Sequence, residues 1–407
     1  MDNYIENLRS FFPILQEKIE GKNLVYLDNG ASAQKPRAMI SAISKFYSSY
    51  YANIHRSAHT MSRLSTLAYE NARKSIAQFF NVGEDYEVIF TKSTTESLNL
   101  VARACGAKYI KEGDCVLVSQ MEHHANLVPW QILCQEKNAK LIFANIDAKG
   151  NLDMQDLEDK LRNNNVKIVS IAQASNVLGT VNNVEEIARL CKEYGALYSV
   201  DAAQSSPHFL VDCEKMRADF ISISAHKCYS ATGLGLLIGR KSLLNDMNVY
   251  QVGGDMVDVV DWQSATYKNA PERFEAGTPN IEGAIAFGAS VEFLSTLNVD
   301  KIIANELAIK DFVSESLNKI KGLRVLGNTL DKLPIFTFVH ESIHPHDIAS
   351  LLDTNGIALR SGNHCAQPLG KLMNAPTSCR ASFAMYNTMQ EAEYFVERLQ
   401  KTISFLA

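Results

Sequence analysis

Residues 218–235 read ADFISISAHKCYSATGLG, an apolar run that stops at Ser-Ala-His-Lys and is followed by a glycine-rich loop. The apolar run predicts a buried β-strand. Lys227 stands where that strand should end, although lysine is among the residues least often buried without a partner. Either Lys227 points into water, or a pocket holds it for the chemistry of its amine.

Further apolar runs alternate with helical patterns on the N-terminal side of this stretch. Apolar strands spaced by helices predict an α/β fold with a mostly parallel sheet covered on both faces. Ligands of such sheets bind beyond the carboxyl ends of the strands, which is where Lys227 should lie. The runs are EVIFT (87–91), DCVLVSQ (114–120), AKLIFANI (139–146), VKIVSIAQ (166–173) and ALYSVDAAQ (196–204).

The pattern changes after about residue 240, where a loop-rich stretch, two helical stretches and several short strands follow. A chain of 407 residues is expected to form about two domains. We predict a large domain over residues 21–295 and a smaller α/β domain over residues 296–407. Residues 1–20 are predicted to form an N-terminal segment that packs with the small domain.

Composition excludes several classes of partner. The net charge of -5 offers no basic surface for nucleic acid, and no apolar run approaches the ~20 residues that span a bilayer. The eight cysteines form no C-x-x-C pair, so no metal site is predicted. Scattered cysteines fit a reducing compartment. We expect a cytoplasmic protein that binds neither nucleic acid nor membranes.

Polar side chains follow several of the predicted strands. Thr94 and Thr95 begin a helix, either as a phosphate-binding site or as an ordinary N-terminal cap. His123 follows another strand, either as a structural residue or as an imidazole that lies on a cofactor ring. Asp201 ends a third strand, where a buried carboxylate needs a partner. That partner is an arginine, a backbone cap or the protonated ring nitrogen of a cofactor.

Each of these residues has a structural explanation alone, but together with Lys227 they form one pattern. Gln204 sits one turn beyond Asp201, and Ser224 and His226 precede Lys227. The combination is what pyridoxal 5'-phosphate (PLP) requires: a lysine Schiff base, an acidic partner for the pyridinium nitrogen and a phosphate site. The amine must be neutral to attack the aldehyde, so burial or nearby positive charge should lower its pKa.

Cys365 is a second candidate nucleophile, in the loop RSGNHCAQP (360–368). His364 precedes it and Arg360 opens the loop, and positive or protonatable neighbours lower the pKa of a thiol. The alternative is a loop cysteine without a role. Arg380, further along the chain, either clamps a substrate carboxylate or forms a structural ion pair.

Long motifs of this chain resemble one enzyme family nearly from end to end. The chain is similar to the group II cysteine desulfurases that serve the SUF sulfur-mobilisation pathway, a group that also covers selenocysteine lyases. These enzymes belong to the class V aminotransferase branch of the fold type I PLP enzymes. The motifs are YLDNGASAQKP, HRSAHTMS, TTESLNLVA, SQMEHHANLVPWQ, SNVLGT, VDAAQ, SAHK, RFEAGTPN, RSGNHCAQP and CRASFAMYNT.

The resemblance implies a role for each matching position. Lys227 would hold PLP as a Schiff base and shuttle a proton, Asp201 would pair with the pyridinium nitrogen, and Gln204 would bond the ring hydroxyl. His123 would stack on the ring and assist proton transfer, and Cys365 would attack the substrate sulfur. The phosphate would be held by Thr95, Ser224 and His226, with Thr278 from the second subunit of a homodimer. The substrate would be held by Asn176 and Arg380, with Arg360 lining the same pocket and His55 near it.

The resemblance also implies the reaction. L-cysteine would become L-alanine, and its sulfur would stay on Cys365 as a persulfide until an acceptor protein of the SUF system takes it for iron–sulfur cluster assembly. Other PLP enzymes of the branch, such as a selenocysteine lyase, and a non-catalytic protein that kept the fold are the alternatives. The chain departs from the commonest family spelling at Asn29-Gly30, Ala225, Cys228, Ser230-Ala231 and Asn363.

Overall fold

The structure is a computed structural model, and it describes residues 3–407. The α-helices are α1 (Asn3–Arg9), α2 (Arg37–Ser49), α3 (Thr60–Phe79), α4 (Thr94–Leu100), α5 (Ala107–Tyr109), α6 (Val128–Lys137), α7 (Met154–Asn163), α8 (Val184–Tyr194), α9 (Cys213–Met216), α10 (Lys241–Asp246), α11 (Ile281–Ser295), α12 (Val299–Asn318), α13 (Pro345–Asp353), α14 (Gln367–Leu372) and α15 (Met389–Leu406). A π-helical segment, Val101–Gly106, joins α4 to α5.

Most of the strands fall in two sheets, and the others form short two-stranded ribbons. The strands are β1 (Lys18–Ile19), β2 (Lys22–Asn23), β3 (Val25–Tyr26), β4 (Tyr86–Thr91), β5 (Cys115–Ser119), β6 (Lys140–Ala144), β7 (Val166–Ala172), β8 (Leu197–Asp201), β9 (Phe220–Ser224), β10 (Gly235–Arg240), β11 (Val257–Val260), β12 (Ala265–Tyr267), β13 (Leu323–Leu326), β14 (Ile335–His340), β15 (Ile357–Ala358), β16 (Arg360–Gly362) and β17 (Ser378–Ser382).

The large sheet has seven strands in the order β4-β10-β9-β8-β7-β5-β6. Strands β5 to β9 pair in parallel, whereas β10 is antiparallel to both of its neighbours. The prediction of an α/β fold with a mostly parallel sheet is confirmed. The carboxyl ends of β7, β8 and β9 therefore meet at one edge, and the residues that follow them lie close together.

Two apolar cores cover the two faces of this sheet. Successive side chains of a strand point to opposite faces, and Leu236 and Leu237 of β10 accordingly belong to different cores. Trp130 of α6 is fully buried in the core of one face, and Phe287 of α11 is fully buried in the core of the other. Burial on both faces explains why these strands appear in the sequence as unbroken apolar runs.

The second sheet has four antiparallel strands in the order β13-β14-β17-β16. Its core is formed with α12, α13 and α15 and includes Phe336, Phe338 and Phe395. The N-terminal part of the chain joins this region, because β3 pairs in parallel with β15 and Arg9 of α1 forms an ion pair with Glu391 of α15 (2.8 Å). A parallel bridge between Asp28 and Ser382 places residues 25–30 beside β17.

No helix within residues 3–407 combines the length and the apolar character needed to cross a membrane.

The start of β10 has no room for a side chain. A Cβ atom on Gly235 would lie 2.4 Å from the carbonyl carbon of Ser93, far inside van der Waals contact. Gly235 is fixed in the sheet and Ser93 is fixed as the N-cap of α4. Gly235→Ala is therefore expected to lower the free energy of unfolding by about 1–3 kcal/mol. Denaturant titration of the purified protein measures this change.

Gly254→Ala is the matched control. Gly254 is exposed, and a Cβ atom there would meet nothing within 4 Å. The free energy of unfolding of this variant should stay within about 0.5 kcal/mol of the parent. Equal losses in the two variants would contradict the close approach of Ser93 to Gly235.

Candidate active site

A cavity of about 250 Å³ lies at the carboxyl ends of β7, β8 and β9. The loop after β16 and the strand β17 close it from the side of the second sheet. Most of the side chains predicted for the site line this cavity: Lys227, Cys365, His123, Thr95, Asp201, Gln204, Ser224, His226, Asn176, Arg360 and Arg380.

Lys227 follows the end of β9, as its sequence position predicts. Its amine opens into the cavity and has no hydrogen-bonding partner among residues 3–407. Burial lowers the pKa of Lys227 to about 8; Arg380 and Arg360 lower it further, while Asp201 and Cys365 act in the opposite direction. A substantial fraction of this amine is therefore neutral near neutral pH, as nucleophilic attack on an aldehyde requires.

Asp201 is the last residue of β8, and its carboxylate is buried. One carboxylate oxygen accepts a hydrogen bond from the Ala203 N–H (2.9 Å). Burial raises the pKa of Asp201, and the nearby Lys227 lowers it. Gln204 donates to the carbonyl of Gly30 (2.7 Å), which fixes its side chain at the cavity wall.

Hydroxyl groups gather where α4 begins. The Thr94 N–H donates to Ser224 Oγ (2.9 Å), and Ser224 Oγ donates to Thr94 Oγ1 (2.8 Å). Ser93 and Thr94 line the cavity together with the predicted Thr95 and Ser224. The sequence analysis left Thr94 open as a phosphate site or a helix cap and did not name Ser93, although both belong to the same hydroxyl-rich stretch.

The histidines of the cavity are neutral. Burial and then Lys227 lower the pKa of His123 to about 3, and its Nδ1 accepts a hydrogen bond from the Ala125 N–H (3.0 Å). Burial likewise lowers the pKa of His226 to about 4. With Nδ1 acting as an acceptor, the ring proton of His123 lies on Nε2.

The Cys365 loop is held in an unusual backbone conformation. His364 and Cys365 both have positive φ values, 51° and 55°. Cys365 accepts a hydrogen bond at its carbonyl from the His124 N–H (2.7 Å), and its own N–H donates to Asn363 Oδ1 (3.0 Å). Asn176 Nδ2 donates to the carbonyl of His364 (2.7 Å). The thiol of Cys365 is thus presented on a fixed loop, at an exposed position.

One expectation about this loop is wrong. His364 was expected to supply positive charge beside Cys365, but burial and then Arg380 lower its pKa to about 3. The imidazole is neutral, and its Nδ1 has no hydrogen-bonding partner among the described residues. The positive charge near the thiol therefore comes from the arginines that line the same cavity.

Arg360 and Arg380 share a carboxylate partner that sequence reasoning missed. Asp28 lies within 3.0 Å of Arg360 and 3.3 Å of Arg380. The segment around Asp28 matches a family motif, but nothing in the local sequence connects it to arginines more than 300 residues away. The pairing of β3 with β15 and the bridge between Asp28 and Ser382 bring the two regions together.

Two predicted residues lie outside this cavity. His55 forms an ion pair with Glu70 (3.1 Å), and the hydrogen bond to that carboxylate raises the pKa of His55. Thr278 is exposed and lines a separate surface depression with Lys92 and Asn280. Because Thr278 was expected to act from a second subunit, its role stays a prediction.

The residues present fit the predicted cofactor. A partnerless amine, a buried carboxylate and a hydroxyl cluster at a helix start surround one cavity. Because the Lys227 amine opens into the cavity and has no partner among the described residues, it can bind a ligand there. Lys227, Asp201 and Ser224 match the aldehyde, the ring nitrogen and the phosphate of PLP.

The pKa of Lys227 predicts how PLP binding depends on pH. Only the neutral amine attacks the aldehyde, so the rate of imine formation in the cofactor-free protein should rise with pH through a midpoint near 8. Stopped-flow absorbance at a series of pH values measures it. Asp201→Asn should move the midpoint to lower pH, because the Asp201 carboxylate raises the pKa of Lys227. A midpoint near the ordinary 10.5 would contradict the burial of this amine.

Comparison with known proteins places the chain in a family. The class-V aminotransferase family model matches residues 25–395. A probable cysteine desulfurase of Staphylococcus aureus (strain Mu50) is 42% identical over 397 residues, covering 97% of this chain and 96% of the relative. A probable cysteine desulfurase of Halalkalibacterium halodurans is 40% identical over 395 residues, covering 97% of each chain.

Solved structures agree with this placement. The apo cysteine desulfurase of Thermococcus onnurineus NA1 superposes with a TM-score of 0.94 at 34% identity, covering 100% of both chains. The cysteine desulfurase CsdA of Escherichia coli superposes with a TM-score of 0.90 at 34% identity, covering 99% of both chains. The resemblance predicted from the motifs is confirmed: this chain belongs to the class-V aminotransferase family of PLP-dependent enzymes, in which it groups with the cysteine desulfurases.

Proposed function

We propose that this enzyme converts L-cysteine to L-alanine and keeps the sulfur on Cys365 as a persulfide. The observation that carries the proposal is the meeting of two nucleophiles, the Lys227 amine and the exposed Cys365 thiol, in one cavity. The substrate C–S bond breaks with its electron pair left on Cβ, and an S–S bond forms to Cys365. Of the two thiol protons, one ends on Cβ of alanine and the other on the persulfide.

Seven side chains of the cavity hold PLP in this proposal. Lys227 binds it covalently, Asp201 pairs with its ring nitrogen and Gln204 bonds its ring hydroxyl. When bound, PLP supplies an electron sink that stabilises negative charge at Cα of the amino acid. The neutral imidazole of His123 stacks on the ring without a repulsive charge. The phosphate is held by Thr95, Ser224 and His226.

The remaining polar side chains act on the substrate. Arg380 and Arg360 bind the carboxylate of L-cysteine, because a guanidinium matches a carboxylate in charge and shape. Asn176 supports this end of the cavity: its side chain holds the Cys365 loop and its carbonyl accepts from Arg380 Nη1 (3.1 Å). Lys227 Nζ, with a pKa near 8, takes the proton from Cα. Cys365 Sγ then attacks the substrate sulfur.

The persulfide on Cys365 needs an acceptor outside the cavity. We assign this role to an acceptor protein of the SUF system that supplies iron–sulfur cluster assembly. The short, hydrogen-bonded Cys365 loop supports the proposal, because the thiol cannot carry sulfur far from the cavity. All eight cysteines are unpaired and seven of them are buried, which supports a cytoplasmic, reducing setting.

A homodimer with sites near its interface accounts for two further features. Helices α2 and α3 both pack on α11 and expose apolar side chains, which favours a protein partner. Trp262 is 100% exposed in the β11–β12 hairpin. In this dimer, Thr278 completes the phosphate site of the partner subunit, and His55 lies near the substrate site. The exposed large apolar side chains of α2 and α3 are Ile40, Tyr47, Met61, Leu64 and Leu67.

The proposal keeps the predicted domain boundaries, with Val25 and Leu27 of the large domain buried in the small-domain core. The large domain, residues 21–295, binds PLP, and the small domain, residues 296–407, carries the Cys365 loop. The N-terminal segment, residues 1–20, is assigned to the small domain, which the Arg9–Glu391 ion pair supports, and its Leu8 and Phe12 are also buried in the core that contains the large sheet.

Cys365→Ala tests the sulfur step. The variant should keep the yellow colour of bound PLP but release less than about one hundredth of the parent's sulfide from L-cysteine, because no thiolate remains to attack sulfur. Sulfide and alanine are assayed together. A variant that keeps desulfurase activity would contradict the role of Cys365, and retained activity with selenocysteine alone would favour the selenocysteine lyase alternative.

Cys228→Ala is the matched control. Cys228 adjoins Lys227 in sequence, but it is fully buried and its thiol faces the carbonyl of Ser206 (3.7 Å). Removal of this thiol should leave sulfide release within about threefold of the parent.

Mixed dimers test whether Thr278 acts across the interface. One dimer pairs a wild-type subunit with a Lys227→Ala subunit, and the other pairs it with a subunit that carries both Lys227→Ala and Thr278→Val. If Thr278 reaches the partner's site, only the second dimer should lose PLP faster from its single intact site, by about tenfold. Cofactor loss is followed by absorbance during dialysis, and equal rates would contradict action in trans.

A further inference from the structure

Asp28 lies between the two arginines that line the cavity. Asp28 Oδ1 accepts a hydrogen bond from Arg380 Nη2 (3.3 Å). Its other oxygen, Oδ2, accepts from Arg360 Nη2 (3.0 Å) and Nε (3.2 Å). One carboxylate therefore joins two guanidinium groups that come from neighbouring strands.

The register of the second sheet forces the two arginines together. Strands β16 and β17 are antiparallel, and Arg360 stands directly opposite Arg380. Like charges at directly opposed positions destabilise a sheet. The charge repulsion matters most for Arg380, whose side chain is only 3% exposed. Burial lowers the pKa of Arg380 and Arg360 lowers it further, while Asp28 raises it. The Asp28 carboxylate offsets this repulsion.

Arg380 nevertheless keeps a donor free. Its Nη1 donates to the carbonyl of Asn176 (3.1 Å) and its Nη2 to Asp28 (3.3 Å). Its Nε is buried and has no partner among residues 3–407. Arg380 is thus oriented by Asp28 and Asn176 while its guanidinium keeps N–H groups without a partner among the described residues.

The backbone fixes Asp28 in this position. The Ser382 N–H donates to the carbonyl of Leu27 (2.7 Å), and the Gly30 N–H donates to Ser382 Oγ (2.8 Å). Gly30 also makes room for the arginine, because a Cβ atom there would lie 3.1 Å from Arg380 Cζ. The carboxylate and the guanidinium it binds are therefore held by the same strand, β17.

We propose that Asp28 is a positioning residue for the clamp formed by Arg360 and Arg380, which binds the substrate carboxylate. It acts through Arg360, whose side chain is 46% exposed and pairs with no other described acidic residue. With Asp28 in place the clamp carries one net positive charge, which matches one substrate carboxylate. Without it, Arg360 moves into solvent, away from Arg380, and the substrate loses one of its two guanidinium partners. The inference rests on the proposed role of both arginines.

A double-mutant cycle tests the proposal. Asp28→Asn should raise the KM for L-cysteine about tenfold and leave kcat within about twofold, because carboxylate binding is lost and the reacting atoms are untouched. In an Arg360→Ala background the same substitution should raise KM by less than about threefold, since Asp28 then positions only Arg380, which Asn176 also holds. Equal effects in the two backgrounds, or an unchanged KM, would overturn the proposal.

Asp219→Asn is the matched control. Asp219 pairs with Arg240 (3.0 Å), and its side chain is 20% exposed compared with 19% for Asp28, but it does not line the cavity. This variant should lose stability while the KM for L-cysteine stays within about twofold of the parent. A rise in KM equal to that of Asp28→Asn would show a general effect of losing an ion pair and would overturn the proposal.

A binding measurement separates this inference from the proposed function. The same cycle is repeated with the dissociation constant of L-alanine, measured by calorimetry on the PLP-loaded enzyme. Coupling between Asp28 and Arg360 in this constant supports the positioning role even if no sulfide is released from L-cysteine, a result that would refute the desulfurase. The absence of coupling in an active desulfurase would overturn the positioning role alone.

Discussion

The amine of Lys227 is the group on which the rest of the site depends. It stands in a cavity without a hydrogen-bonding partner among residues 3–407, and burial lowers its pKa to about 8. An unsatisfied polar group is unfavourable unless a ligand binds it. The parallel strands bring Asp201 and Ser224 to the same edge. The cofactor site therefore follows from where the strands end.

The sulfur chemistry depends on a second region of the chain. Cys365 and the two arginines belong to the C-terminal part, but contacts with the large sheet hold them in place. The His124 N–H donates to the carbonyl of Cys365. The Asn176 side chain donates to the carbonyl of His364, and the Asn176 carbonyl accepts from Arg380. The hydrogen bonds connect the Cys365 loop to the loops that line the cavity, so the distance between the Lys227 amine and the Cys365 thiol is set by packing.

Charge in the cavity is distributed unevenly. The pKa values of His123, His226 and His364 are lowered to about 3, 4 and 3, mainly by burial, so these rings are neutral. Positive charge at the substrate end comes from Arg360 and Arg380, and Asp28 offsets part of it. This arrangement favours a single carboxylate beside the two arginines and leaves the imidazole of His123 uncharged.

The sequence by itself determined the α/β fold and the residues at the strand ends, because apolar runs and the polar residues that follow them are local features. Lys227, Asp201 and Ser224 lie where those patterns predicted. Only the tertiary structure decided that Asp28 lies between Arg360 and Arg380, which follow it in the sequence by 332 and 352 residues. It also decided that burial leaves His364 neutral. The physical reason is that sheet register and the packing of remote segments depend on the whole chain, which no local pattern records.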